Sequence, residues 1–223
     1  MKKKVIFTLL ITFLGCSCLV KAQSLAVFLG FKVGPNWANF EGKDVSTDLK
    51  QRIGCGFGLV SDFSIKKAND KDYSRFSLCP EINFIPGGAL NKSTSGLITY
   101  DVATKLNYAR VPILIRFYHG FLGKAKSGLF AEVGPYGGYL LSAKQTGTVK
   151  DSLGTQNISE DIKSNFENTD YGISFGGGVS IASILTINYR YDWGLANISK
   201  TLDDWTNRAW GIYFNLCFPL GGK

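Results

Sequence analysis

Two neighbouring stretches decide the fold: Tyr171-Gly172-Ile173-Ser174-Phe175-Gly176-Gly177-Gly178-Val179-Ser180-Ile181 and, three residues on, Leu185-Thr186-Ile187-Asn188-Tyr189-Arg190-Tyr191-Asp192. Both read in period two. Tyr171, Ile173, Phe175, Val179 and Ile181 face one way, against Gly172, Ser174, Gly176, Gly178 and Ser180. Leu185, Ile187, Tyr189 and Tyr191 oppose Thr186, Asn188, Arg190 and Asp192. Side chains alternate across a strand, so this pattern predicts two strands with one apolar face each. The short link between them predicts a tight hairpin. The polar face is mostly Gly and Ser, whereas a water-facing sandwich face would carry many Lys, Glu and Thr. Small residues suit a narrow, crowded barrel interior.

The same alternation recurs outward from this pair. In residues 26–35, Val27, Leu29, Phe31 and Val33 oppose Gly30, Lys32 and Gly34. In 53–65, Ile53, Cys55, Phe57, Leu59 and Phe63 oppose Gly54, Gly56, Gly58 and Asp62. In 76–84, Phe76, Leu78, Ile82 and Phe84 oppose Ser77, Glu81 and Asn83. Val111, Ile113, Ile115 and Phe117 oppose Arg110 and Arg116; Leu129, Ala131, Val133 and Tyr139 oppose Glu132, Gly134 and Gly138. Last, Trp210, Ile212, Phe214, Leu216 and Phe218 oppose Gly211, Tyr213 and Asn215. Eight such segments, each near the ~9–11 residues that a tilted strand needs to cross a bilayer, predict an all-β, closed, up-and-down antiparallel transmembrane barrel. A soluble antiparallel sandwich is the structural alternative.

Charge fixes the register. Lys32, Glu81, Arg110, Arg116, Glu132, Arg190 and Asp192 all fall on the polar face. A one-residue slip would turn each toward lipid, where a basic group costs roughly 2–4 kcal/mol at the midplane. With both signs present, the seven predict a structural network of ion pairs filling the lumen. A selective charge ring is the competing reading.

The start of the chain reads as a leader. Residues 1–4 are basic, 5–14 are apolar or Thr, and Val20-Lys21-Ala22 suits a signal peptidase. The expected organisation is a signal peptide over 1–22 and a barrel over 23–223. Phe13-Leu14-Gly15-Cys16 offers a rival, lipidated start at Cys16. The formal charge of the whole chain is +8. Four of those charges (Lys2, Lys3, Lys4 and Lys21) belong to the leader, and the rest form no basic stripe, so no nucleic-acid partner is expected.

Connections alternate in length. Residues 36–51, 87–105, 142–169 and 196–207 read as long polar loops; 66–72, 119–127 and 182–184 read as short turns. Long extracellular loops and short periplasmic turns then orient the barrel. Trp37, Tyr139, Tyr171, Tyr191, Trp193, Trp205 and Trp210 gather near the long-loop ends, and Phe63, Tyr73, Phe76, Phe117, Phe121, Phe130 and Phe218 near the others, as two aromatic girdles. Pro80, Pro112 and Pro135 lie inside strands and predict bulges.

Little catalytic chemistry is legible. His119 is the single histidine and falls in a turn. Cys55, Cys79 and Cys217 show no metal-ligand spacing; Cys55 and Cys79 lie on opposite faces and are not expected to pair. No catalytic residue, cofactor or metal site is expected.

Several segments resemble the PorT-type outer-membrane β-barrel proteins of Bacteroidota. They are Gly30-Phe31-Lys32-Val33-Gly34-Pro35-Asn36, Leu78-Cys79-Pro80-Glu81-Ile82, the strand from Leu106 to Arg116 with Tyr108 and Pro112, the Val133-Gly134-Pro135 element, and the strand end from Tyr189 to Ile198. The resemblance implies a place in the outer membrane and, through the founding member, a link to type IX protein secretion. The expected role is a non-enzymatic structural or accessory barrel. It would be monomeric in outer-membrane lipid, meeting a protein partner through its extracellular loops or periplasmic face. A small-solute channel is the alternative, and a lipid-modifying barrel enzyme a distant one.

Overall fold

A computed structural model describes residues 25–43, 45, 49–65, 74–120, 127–152, 154–181, 184–201 and 204–220. The expected leader, with its Ala22 and Cys16 alternatives, lies outside the described residues. The strands are β1 (Leu25–Glu41), β2 (Leu49–Ile65), β3 (Ser74–Ser95), β4 (Ile98–Gly120), β5 (Gly128–Asp151), β6 (Gly154–Asp161), β7 (Thr169–Ile181), β8 (Leu185–Gly194) and β9 (Thr206–Leu220). Every pairing is antiparallel. The order β4-β3-β2-β1-β9-β8-β7-β5 is closed by a β4–β5 ladder. Eight strands thus make a ring, while β6 pairs only with the far half of β5. The near half of β5 pairs with β7.

Closure explains the reversed distribution of apolar groups. A single sheet curled on itself has a small interior, so bulky side chains point outward. Phe31 is 65 % exposed, Ile82 61 % and Ile115 58 %. An apolar exterior of this extent needs a hydrocarbon environment. No described helix is long and apolar enough to span a membrane. Strands satisfy every backbone group only because the ring leaves no edge within it.

The long connections differ from expectation. Residues 87–105 are mostly strand: β3 and β4 pair from Ala89–Thr104 out to Ser95–Ile98, turning at Gly96 and Leu97. Gly96 has φ +60°, which glycine adopts without strain. Of residues 142–169, the described ones include the end of β5, β6, a short 3-10 turn, Lys163–Asn165, and the start of β7 at Thr169. At ~3.4 Å per residue the 23-residue β4 is about twice as long as a bilayer crossing requires. Outside lipid, a strand no longer needs one apolar face. Polar pairs such as Lys92–Asp101 (3.0 Å) replace the alternation that the sequence reading relied on.

The prolines cause gaps, not bulges. Pairing lapses between Pro80–Ile113 and Asn83–Arg110, and between Pro112–Tyr136 and Ile115–Val133, yet resumes in the same register. A missing N–H removes a ladder bond without adding a residue. The shifts fall elsewhere, between Gln51 and Phe57 of β2 and between Asn107 and Tyr108 of β4. The second leaves Leu141 as the extra residue of β5, opposite no partner.

Aromatics pair outside the wall: Trp37 stacks on Trp210 at 4.1 Å, and Phe57 on Phe84 at 5.0 Å. Two expected girdle residues lie elsewhere. Phe130 is buried inside, and Trp205 packs inward against Phe40 at 5.1 Å. Tyr73 and Phe121 lie outside the described residues. His119 belongs to β4, not to a turn; it pairs with Ser74 and Leu129. Cys55 is exposed, Cys79 is buried, and both are free thiols, as is Cys217.

Candidate functional site

The interior has two tiers. At the long-connection end, Phe40, Ala89, Leu106, Tyr108, Leu140, Ala143, Phe166 and Ile198 form an apolar cluster. Phe166 and Ile198 come from connections that fold into the barrel mouth. Backbone bonds hold them there: the Glu167 N–H donates to the Ile198 carbonyl (2.8 Å), and the Ile198 N–H to the Trp205 carbonyl (2.8 Å). Burial of large apolar side chains, each contributing ~1.5–3 kcal/mol, keeps these segments in the mouth.

Beneath the cap lies a charged tier, which the strand alternation aims inward. Glu81 accepts from Lys32 Nζ at 3.0 Å and from Arg190 Nη1 and Nη2 at 2.6 and 2.9 Å. Asn83 Nδ2 adds a bond to Glu81 at 2.8 Å. Glu132 accepts from Arg116 Nε and Nη2 at 2.9 and 2.7 Å, from Asn188 Nδ2 at 2.9 Å, and from Arg190. Arg116 Nη1 reaches Asp62 Oδ2 at 3.2 Å. Three cations and three carboxylates are therefore linked in one chain: Lys32, Glu81, Arg190, Glu132, Arg116 and Asp62.

A second group lies nearer the cap. Arg110 donates to Asp170 Oδ2 (2.8 Å) and Asp192 Oδ2 (3.0 Å). Ser174 donates to Asp192 at 2.6 Å, and Asn207 to Asp170 at 3.1 Å. Tyr136 donates to Asp170 at 3.3 Å, and its ring lies 4.7 Å from the Arg110 guanidinium. Lys32 sits over Tyr213 at 4.3 Å and Arg116 over Phe130 at 4.5 Å. Aromatic faces thus take the sides of the cations that carboxylates leave free.

The seven residues singled out from sequence all point inward and are buried. The structure divides them. Lys32, Glu81, Arg116, Glu132 and Arg190 share one chain of contacts, while Arg110 and Asp192 belong to the other group. Two partners were missed. Asp62 was placed on the inner face but not counted with the charges. Asp170 keeps the parity of Gly172 and Ser174, and only a strand start set at Tyr171 hid it.

The arrangement fills space more than it presents reactive groups. Every carboxylate in it accepts from at least one cation. Two small interior cavities lie among these residues. One, of about 20 Å³, is lined by Asp62, Arg75, Arg116 and Thr186; the other, of about 10 Å³, by Lys32, Arg110, Tyr136 and Arg190. Each is on the scale of a single water. His119 is exposed, and its Nδ1 lies 2.8 Å from the Ser74 hydroxyl.

Solved barrels with a similar trace include Ail of Yersinia pestis in complex with the heparin analogue sucrose octasulfate. Its identity is 13 %, covering 86 % of this chain and 99 % of that one, with a TM-score of 0.40. OprG of Pseudomonas aeruginosa shares 8 % identity over 91 % of this chain and 98 % of its own, with a TM-score of 0.42. Neisserial surface protein A shares 8 % over 86 % and 95 %, with a TM-score of 0.38. No curated protein sequence matches. The family model described as outer membrane protein beta-barrel domain matches residues 21–200. With that match over most of a closed, apolar-walled ring of eight antiparallel strands, the chain belongs to the outer membrane protein beta-barrel domain family and is an outer-membrane β-barrel.

Proposed function

We propose that this protein is a non-enzymatic, structural or accessory barrel that works through its surfaces and not through its lumen. One observation carries the reading: the interior is occupied by two groups of ion pairs beneath an apolar cap, with cavities of about 20 and 10 Å³ among them. Eight strands leave room for side chains and little else. Moving an ion through would require breaking several buried pairs at once, which argues against a small-solute channel. The carboxylates of the charged tier are buried inside the ring, away from the lipid-facing wall, which argues against a lipid-modifying enzyme.

The projecting β3–β4 and β5–β6 hairpins supply the surface for a partner. Leu97 at the first tip is 80 % exposed. In this reading the hairpins are extracellular, residues 1–22 are removed on export, and residues 23–223 insert as a monomer. The PorT-like segments make assistance to protein secretion the accessory role that we favour.

The test is conductance. Purified full-length protein reconstituted into planar bilayers should give no stable single-channel steps. Reproducible steps whose ion selectivity changes in Arg110→Ala or Glu132→Ala would establish the channel and reject the proposal. Cross-linking in intact cells, with and without the β3–β4 hairpin tip, should then identify a partner that depends on that tip.

A further inference from the structure

The outer wall is not a uniform apolar surface. Across β1 to β5 it carries a groove of about 560 Å³. Its lining includes Phe31, Leu59, Ile82, Phe84, Ala109 and Leu141. The register explains why a groove forms there. Phe57, Phe84 and Ala109 are successive cross-strand neighbours, and so are Phe31, Leu59 and Ile82. The large members of these rows border the groove. Ala109, flanked by Phe84 and Tyr139, is a small side chain in a row of large ones and leaves the space. At the far end Leu141, which keeps the outward parity of Tyr139 and is left unpaired by the bulge, forms a wall. The stacked rings of Phe57 and Phe84 form the near side.

The groove is continuous with the bilayer-facing band of the barrel, so its occupant comes from the membrane. Four strand spacings of ~4.8 Å give a length of about 19 Å. One leaflet of a ~30 Å hydrocarbon core, which is the reach of one acyl chain, is about 15 Å. The lining is almost wholly apolar, and the volume falls within the range of ordinary ligand sites.

We infer that this groove is a seat for one acyl chain of an outer-membrane lipid, held more firmly than the lipid around the rest of the barrel. The chain lies across β1–β5, with Ala109 beneath it. The inference rests on the barrel standing in a membrane, and is independent of whether the lumen conducts.

The test uses full-length protein in phosphatidylethanolamine–phosphatidylglycerol vesicles containing a phospholipid with a terminal diazirine on one acyl chain. After photolysis, adducts are mapped by peptide mass spectrometry. Adducts on the groove peptides should exceed those on the opposite wall, around Phe175 and Phe214, severalfold, because the groove adds dispersion contacts to a chain that is already out of water. Ala109→Phe fills the groove and should abolish the excess while leaving the opposite wall unchanged. Heat-modifiable gel mobility checks folding, and Ile82→Trp serves as a second filling variant if Ala109→Phe does not fold. Equal labelling of both walls, or an excess that survives both folded variants, would overturn the inference. No labelling on either wall would instead overturn membrane placement itself.

Discussion

Glu132 is the residue whose loss should be felt most. It accepts from Arg116 through two nitrogens, from Arg190 and from Asn188, and its side chain is fully buried. Glu132→Leu removes one of three carboxylates from a chain that also holds three cations. Arg116 keeps only Asp62 at 3.2 Å, and Arg190 must share Glu81 with Lys32. Breaking a buried pair from one side costs about 3–5 kcal/mol, because a charge is left uncompensated away from water. Adding Arg190→Leu removes the excess cation. Lys32–Glu81 and Arg116–Asp62 then remain as two neutral pairs. The double variant should recover much of the loss, giving a coupling of about 2–3 kcal/mol. The assay is urea unfolding and refolding in lipid vesicles, followed by tryptophan fluorescence and by heat-modifiable mobility. A single-variant loss below about 1 kcal/mol, or strict additivity in the double, would refute the argument that balance and not mere packing holds the tier together.

Further outcomes follow from the same structure. Ile198→Ala in the cap should cost about 2–5 kcal/mol by leaving a cavity, read as a lower midpoint in the same titration. Gly178→Val should prevent closure, since a Cβ there would lie 2.0 Å from the Ile187 carbonyl oxygen; heat-modifiable mobility should be lost. In the folded barrel, a lipid-soluble maleimide should label Cys55 and spare Cys79, with both reacting after denaturation; equal labelling when folded would mean the register of β2 or β3 is wrong. Mass spectrometry of the exported protein should find Gln23 at the start, and an acylated Cys16 would replace that assignment.

Much of the barrel was legible because membrane and lumen impose opposite demands on adjacent residues. Arg110 and Val111, or Arg190 and Tyr191, cannot exchange faces without placing a charge in lipid. Alternation and seven charges were therefore enough to assign strands, faces and an ion-paired interior. The reading failed where that contrast ends. Beyond the bilayer both faces of a strand meet water, so the ends of β3, β4 and β5, and all of β6, looked like loops. Phe130 and Trp205 were read as girdle residues from their place along the strand, although parity puts Phe130 with Glu132 on the inner face.

Pairing across the lumen depends on the ring itself. Sequence alone determined that Glu81 and Arg190, 109 positions apart, both face inward. It did not determine that they touch. Strand tilt and stagger set which heights meet across a closed barrel, and those are properties of the whole ladder. The same applies to the cap. Phe166 and Ile198 sit in polar connections, and only the folded mouth shows that they turn back to cover the charges. Ala109 is the smallest case: in sequence it is one more outward residue, and only the larger Phe84 and Tyr139 paired on either side of it make it the low point of a groove.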